Sequence, residues 1–223
     1  MSSNIPVIRV VDDDQGFRTA IGRLLRAAGY EVREYASAGA LLMSDEEQTP
    51  GCVLLDMKMP GPSGLDLQEA LAKRDRKLPI IFLTAYADVR NSVRAMKAGA
   101  MDFLPKPVKR EALLAIVRTA LARDEERRAS REHIRDLRAR YDALSPRERE
   151  VLRHVVAGRL NKQIAAAIGA AERTVKAHRA HVMSKMQASS VAELVRAYDL
   201  LAATAGGVPE TAPAPGAGQS SAL

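Results

Sequence analysis

The sequence has little of what secreted, disulfide-bonded or membrane-spanning proteins need. Its single cysteine, Cys52, excludes an internal disulfide and lies in the apolar run CVLLD, which predicts a small buried core residue. No Cys/His cluster has the spacing of zinc ligands. No apolar run approaches the length of a membrane span, and the N-terminal MSSNIPVIRV lacks a signal-peptide pattern. These absences predict a cytoplasmic protein that has no membrane association.

Charge and composition divide the 223 residues unevenly. From Ser145 onward, ten Lys and Arg residues stand against six Asp and Glu residues, which favours a polyanionic partner. We predict an α/β domain over 1–121, a charged helical linker over 122–144 and a small helical domain over 145–201. The Ala-, Gly- and Pro-rich tail, 202–223, is expected to be disordered.

Five short apolar runs alternate with helical patterns in the first domain. They are VIRVV, EVREYA, CVLLD, PIIFLTA and AMDFLP. This alternation predicts a five-stranded parallel sheet with helices on both faces, a doubly wound, flavodoxin-like arrangement. In such sheets the functional residues collect at the carboxyl ends of the strands.

Side chains that could take part in chemistry stand at the carboxyl ends of four predicted strands. Asp12, Asp13 and Asp56 offer carboxylates, while Thr84 and Lys106 follow the fourth and fifth strands. Three carboxylates at one edge predict a Mg²⁺ site, because hard cations bind carboxylate oxygens. The alternative, an aspartate that caps the next helix, explains one of the successive aspartates after the first strand but not all three. With Mg²⁺ and an ammonium present, Asp56 would be a nucleophile toward a phosphoryl group.

Phosphatases of the haloacid dehalogenase type use similar residues. They also need a carboxylate two residues after the nucleophile as general acid, and this chain has Lys58 there. We therefore predict a phosphoacceptor switch with at most slow self-phosphorylation from small donors and slow dephosphorylation, and no turnover enzyme. A cis peptide bond before Pro107 is compatible with the sequence FLPKP.

Four motifs together resemble the receiver domain of two-component response regulators. They are VVDDD, LLDMKMPGPSG, FLTAYAD and AGAMDFLPKP, and the resemblance covers about residues 5–121. The resemblance implies that Asp13 is a direct Mg²⁺ ligand, that Asp12 acts through metal-bound water and that the Lys58 backbone carbonyl is a further ligand. It also implies that Asp56 is the phosphoacceptor and that Thr84 and Phe103 are the paired switch residues. The chemistry of phosphoryl transfer adds that Lys106 would supply positive charge and Thr84 one hydrogen bond.

The linker carries a narrow apolar seam. Ile134, Leu137, Tyr141 and Leu144 follow a 3-4-3 spacing among many charges. Two interpretations remain open at this point: a solvated connecting helix, or a short dimeric coiled coil.

The basic domain is predicted to form four short helices, of which the second and third have the pattern of a helix-turn-helix motif. Ser145 and Glu148 predict a capping box, Asn161 is a candidate cap for KQIAAAI, and Ala171 offers no side-chain cap to the next helix. On that helix, Val175, His178, Val182 and Met186 should pack on Ile164 and Ile168. Small and basic residues on the opposite face suit a DNA major groove.

The segment LSPREREVL…NKQIA…RTVKAHRAHVMSKM resembles the LuxR-type DNA-binding domain. With a receiver in front, the chain resembles the NarL/FixJ regulators, most closely FixJ-like ones, from Ile5 to Leu201. The resemblance implies DNA contacts from Arg173, Lys176, Ala177 and Arg179. It also implies a dimer surface on the last helix, formed by Val191, Leu194, Val195 and Tyr198.

These features together predict a phosphorylation-dependent, DNA-binding transcriptional regulator. Its expected partners are a sensor histidine kinase, double-stranded promoter DNA, RNA polymerase and a second copy of the chain after phosphorylation. The alternative is a receiver that signals through protein contacts without binding DNA.

Overall fold

The computed structural model describes residues 5–44, 49–73, 78–85 and 89–204, without the side chains of 85 and 89–92. The chain divides into two compact units, Met1–Arg128 and Ala129–Leu223. The predicted disordered tail lies outside the described residues from 205 onward. Within the part that is described, no helix is both long and apolar enough to cross a membrane.

The first unit has the predicted five-stranded parallel sheet with intervening helices. Its strands are β1 (Val7–Val11), β2 (Glu31–Tyr35), β3 (Gly51–Asp56), β4 (Ile80–Ala85) and β5 (Asp102–Lys106). Its helices are α1 (Gln15–Ala27), α2 (Ala38–Leu42), α3 (Gly64–Ala72), α4 (Val89–Lys97) and α5 (Arg110–Asp142). The strand order is β2-β1-β3-β4-β5, and all neighbouring pairs are parallel.

Alternate residues of the central strands face two separate cores, because strand side chains point to opposite faces. Ile8 and Val10 pack on one face with residues of α1 and α5. Val11 and Leu55 pack on the other face with residues of α2, α3 and α4. Cys52 is fully buried in the first core, as predicted. Both faces of the sheet are thus covered, which confirms the doubly wound fold.

Helix α5 continues without a break from Arg110 to Asp142 and includes most of the predicted linker. The apolar seam near its end has a partner inside the chain. Leu137, Tyr141 and Leu144 are buried in the core of the second unit, and Ile134 is half-buried. In this structure three of the four seam residues therefore pack inside the second unit, and only Ile134 is left partly open to solvent.

The second unit contains the four predicted helices. They are α6 (Pro146–Val156), α7 (Asn161–Ile168), α8 (Glu172–Met186) and α9 (Val191–Ala203). Helix α6 begins with the expected capping box: the Glu148 backbone N–H donates to Ser145 Oγ, and the Ser145 backbone N–H donates to the Glu148 carboxylate. Gly169 ends α7 in the left-handed conformation, with φ of 63°.

The start of α7 differs from the prediction. Asn161 is its first helical residue, and the N-cap position is taken by Leu160, whose backbone N–H donates to Gln163 Oε1 at 2.8 Å. A glutamine reaching back from the first turn thus replaces the expected asparagine cap, and the Asn161 side chain contacts α8 instead. Ala171 caps α8 without a side-chain hydrogen bond, as predicted.

Candidate functional site

The three predicted carboxylates meet at the carboxyl edge of the sheet. Asp12 and Asp13 follow β1, and Asp56 is the last residue of β3, the strand that pairs with β1. One carboxylate oxygen from each lies within 4.8 Å of the other two. Asp12 and Asp56 are buried, whereas Asp13 is exposed. Parallel pairing of β1 and β3 is sufficient to bring these acids together.

Lys106 joins two of these acids from the end of β5. Its Nζ donates to Asp12 Oδ2 at 2.7 Å and lies 2.8 Å from Asp56 Oδ1. The peptide bond from Lys106 to Pro107 is cis. Burial lowers the pKa of the Lys106 ammonium, but its hydrogen bonds to both carboxylates outweigh burial, so this pKa lies above its usual value.

Backbone amides fix the other oxygens of the two buried carboxylates. The Asp14 N–H donates to Asp12 Oδ1 at 2.9 Å, and the Lys58 N–H donates to Asp56 Oδ2 at 3.0 Å. Burial raises the pKa of Asp12 above its usual value even though the Lys106 hydrogen bond lowers it. One ammonium therefore does not fully offset the desolvation of this carboxylate.

The donor set fits a hard cation. Three carboxylates face one ammonium, so the ionised cluster carries an excess of negative charge. Mg²⁺ prefers oxygen ligands and is commonly held by one or two carboxylates with other oxygens. The cluster offers such oxygens at one partly exposed edge of the sheet.

The third successive aspartate has a separate structural role. Asp14 is the N-cap of α1, and its Oδ1 accepts a hydrogen bond from the Phe17 N–H at 3.0 Å. The simpler interpretation of the aspartate run is thus correct for Asp14, while Asp12 and Asp13 belong to the acidic cluster.

The predicted switch residues lie on neighbouring strands. Thr84 on β4 is 5% exposed, and Phe103 on β5 is 44% exposed. Their strands pair in parallel, with Phe82 opposite Phe103 and Thr84 opposite Pro105. Phe103 therefore presents much of its ring to solvent, and Thr84 lies inside.

Two contacts at this edge were absent from the sequence prediction. The Phe17 ring lies against the Lys106 ammonium, 4.1 Å from centroid to Nζ. Arg18 Nη1 donates to the Asp12 backbone oxygen at 2.6 Å. The sequence feature that could have predicted these two contacts is Asp14. As the N-cap of α1, it places the first turn of that helix beside the end of β1.

Helix α8 exposes most of the predicted DNA-contacting residues. Arg173, Lys176 and Ala177 are exposed, while Arg179 is half-buried and its Nη1 donates to Asn161 Oδ1 at 2.9 Å. Behind this surface, Val175, Val182 and Met186 are buried with Ile164 and Ile168, as predicted. His178 is only half-buried and lies outside the group of buried core residues.

The four residues predicted for a dimer surface on α9 separate into two groups. Leu194 and Tyr198 are buried in the core of their own unit. Val191 is exposed and Val195 is half-buried. Leu194 and Tyr198 are thus occupied by intramolecular packing, and of the four predicted residues only Val191 and Val195 remain accessible on α9.

Both parts of the chain match known protein families. Residues 8–118 match the response regulator receiver domain. Residues 142–198 match the bacterial regulatory proteins of the luxR family. These two matches cover the acidic cluster and helices α6 to α8.

Several relatives match both parts of this chain in a single alignment. Nodulation protein W of Bradyrhizobium diazoefficiens is 41% identical over 210 residues, which cover 94% of this chain and 92% of that protein. Transcriptional regulatory protein FixJ of Azorhizobium caulinodans is 41% identical over 196 residues, covering 88% and 92%. The structure of the response regulator StyR matches with a TM-score of 0.80 and 43% identity, covering 87% of this chain and 98% of that one. The chain therefore belongs to the NarL/FixJ family of response regulators, phosphorylation-dependent DNA-binding proteins that regulate transcription.

Proposed function

We propose that Asp56 is the residue that accepts the phosphoryl group and that its modification controls DNA binding by α8. The observation that carries this proposal is the convergence of Asp12, Asp56 and Lys106, with Lys106 Nζ within 2.8 Å of a carboxylate oxygen on each acid. The donor would be a phosphohistidine of a sensor kinase. A bond forms between an Asp56 oxygen and phosphorus while the bond from phosphorus to the histidine nitrogen breaks.

Asp12, Asp13 and Asp56, with the Lys58 carbonyl, would hold Mg²⁺. The cation supplies positive charge that offsets the negative charge of the phosphoryl oxygens. Lys106 supplies a further positive charge from β5, and the Thr84 hydroxyl supplies one hydrogen-bond donor. The amides of Asp14 and Lys58 orient the two buried carboxylates before the donor arrives.

The chain's own residues support a switch and argue against rapid hydrolysis. Lys58, two residues after Asp56, provides no carboxylate to protonate a leaving group or activate water. We infer slow phosphorylation from small donors and slow loss of the phosphoryl group.

The output would be dimerisation through the face formed by α4 and β5. Val93, Met96 and Phe103 expose 48%, 42% and 44% of their surfaces on these elements. We infer that Thr84 moves toward the phosphoryl group and that Phe103 turns into the vacated space, which reshapes this face. Val191 and Val195 on α9 would form a second contact between the DNA-binding units, and the assembled dimer would contact RNA polymerase at the promoter.

DNA binding would use the exposed face of α8 in the major groove. Lys176 would contact a phosphate or a base edge, with Arg173 and Arg179 at its sides. Ala177 has no side-chain donor, so it offers contact to a thymine methyl or permits close approach. A dimer carries two such recognition helices, so we infer that it binds two DNA half-sites whose centres are about one turn of the DNA helix apart.

The phosphoacceptor assignment is tested with acetyl phosphate and Mg²⁺. Wild-type protein should gain one phosphoryl group on Asp56, and a chelator should prevent this. Asp14→Asn is the matched control: asparagine also caps helices, so this variant should still be phosphorylated. Phosphate on Asp56→Asn, or transfer that is unchanged by chelator, would contradict the assignment.

The DNA interface is tested by a salt titration on a cognate and a scrambled duplex. Lys176→Ala should weaken binding and, if its partner is a phosphate, reduce the salt slope by about one contact. If its partner is a base, discrimination should fall by about 1–3 kcal/mol with little change in slope. Lys73→Ala, the same change on the exposed end of α3, is the control. If Lys176→Ala binds both duplexes as tightly as this control at every salt concentration, α8 is not the DNA interface and the assignment is wrong.

A further inference from the structure

The position of the Lys106 ammonium depends on a ring as well as on two acids. Nζ lies 4.1 Å from the centroid of the Phe17 ring while it also contacts Asp12 Oδ2 and Asp56 Oδ1. A cation over an aromatic face is attracted by the negative face of the ring. The acids and the ring thus contact the same ammonium at the same time.

Phe17 is itself held in place. Its backbone N–H donates to the Asp14 cap at 3.0 Å, and its side chain packs against the core that contains Ile21 and Leu25. The next residue, Arg18, ties α1 to the backbone oxygen of Asp12 at 2.6 Å. The ring is therefore fixed relative to the carboxylate that receives the Lys106 hydrogen bond.

We propose that Phe17 is the positioning residue for Lys106: its ring keeps the ammonium at the acidic cluster, ready to meet the phosphoryl oxygens on Asp56. A lysine has a flexible four-carbon stem, so each fixed neighbour, the Phe17 ring as well as the two carboxylates, narrows the range of positions that its ammonium occupies. If the ammonium is already in position before the reaction, no conformational entropy is lost in placing it when the transition state forms. This inference rests on the proposed role of Asp56.

The test compares Phe17→Leu, which removes the ring and keeps an apolar side chain, with Phe17→Tyr, which keeps the ring. In the protein without added metal, the ring current should shift the Lys106 ε-methylene protons upfield in wild type and in Phe17→Tyr. This upfield shift should be lost in Phe17→Leu. The measurement reports the position of Lys106 independently of phosphorylation.

The maximal rate of Asp56 phosphorylation by acetyl phosphate should fall roughly 3- to 10-fold in Phe17→Leu, the factor expected for a partly desolvated cation–π contact. It should stay near wild type in Phe17→Tyr, and the apparent donor affinity should be unchanged in both. In a Lys106→Ala background, Phe17→Leu should have no further effect. A purely structural role would slow both backgrounds alike.

The two proposals fail separately. If Asp56→Asn is still phosphorylated, the proposed function is wrong. If Asp56 is the acceptor but Phe17→Leu keeps the wild-type rate or the wild-type Lys106 shift, the positioning role is wrong. An equal loss of rate in the wild-type and Lys106→Ala backgrounds would also overturn it.

Discussion

Glu148 should be the acid on which the stability of the DNA-binding unit depends most. The residue lies in the first turn of α6 and is only 4% exposed. Glu148 Oε2 accepts hydrogen bonds from the Ser145 N–H at 2.8 Å and from Lys185 Nζ at 2.6 Å. His181 Nδ1 lies 3.7 Å from the other oxygen. This one carboxylate therefore caps α6 and joins that helix to α8.

The size of the effect follows from the pKa of Glu148. Hydrogen bonds from Lys185 and from the Ser145 backbone lower this pKa from 4.5 to about 2. One pKa unit corresponds to about 1.4 kcal/mol, so the ionised carboxylate contributes roughly 3 kcal/mol to the free energy of unfolding. Because the folded-state pKa is the lower one, this contribution is complete above pH 4.5. It is lost as the pH falls from about 4.5 to about 2.

Glu148→Gln tests this magnitude because the amide keeps the size and one acceptor oxygen but loses the charge. We expect a loss of roughly 3 kcal/mol at pH 7, with the difference from wild type shrinking as the pH falls below 4.5. Urea unfolding read by hydrogen exchange of α6 and α8 peptides separates this unit from the receiver.

Glu132→Gln is the matched control for the loss of one glutamate charge. Glu132 pairs with Arg135 on the surface of α5, with 70% of its side chain exposed, so its loss should cost less than about 1 kcal/mol. If Glu148→Gln is no more destabilising than this control at pH 7, the reasoning is wrong. A difference between Glu148→Gln and wild type that persists undiminished near pH 2 would also refute it.

Other substitutions should act through backbone geometry and helix contacts. Gly51→Ala should destabilise the receiver by roughly 3 kcal/mol or more in urea unfolding, since φ is +141° and a Cβ would lie 1.8 Å from the Val7 carbonyl oxygen. Gly29→Ala is its control: φ is +89° but nothing lies within 4 Å, so only about 1 kcal/mol of strain is expected. Asn161→Ala should weaken duplex binding by about 1 kcal/mol by releasing Arg179, an effect that should vanish in an Arg179→Ala background.

The acidic cluster could be predicted because it depends on strand order and strand ends alone. Parallel strands place their carboxyl ends at one edge, so residues far apart in sequence, such as Asp12 and Lys106, meet there without any detailed packing. The same rule does not place a helix residue against that edge. The contact of Phe17 with Lys106 depends on where α1 begins, and helix starts are uncertain by a residue or two from sequence.

The helical segments were harder to interpret because periodicity identifies an apolar face and not its partner. Leu137 and Tyr141 have the spacing of a coiled-coil seam, but they are buried in the core of the second unit. Leu194 and Tyr198 resemble dimer residues and are buried in the same core. A small helical unit has few apolar residues, so those that neighbouring helices need are not left for a second copy.

The three successive aspartates differ in whether their charge is needed. Asp14 caps α1 by accepting one hydrogen bond from Phe17, and a neutral asparagine accepts the same bond nearly as well. Asp12 is buried against the Lys106 ammonium, so removal of its charge would leave that ammonium with one carboxylate contact fewer in a partly buried site. Asp13 is exposed and lies beside Asp12 and Asp56, so in the proposed Mg²⁺ site its carboxylate would meet the cation from the solvent side. The burial of each aspartate and the group that it contacts, more than its position in the run, therefore distinguish the helix-capping Asp14 from the two aspartates of the acidic cluster.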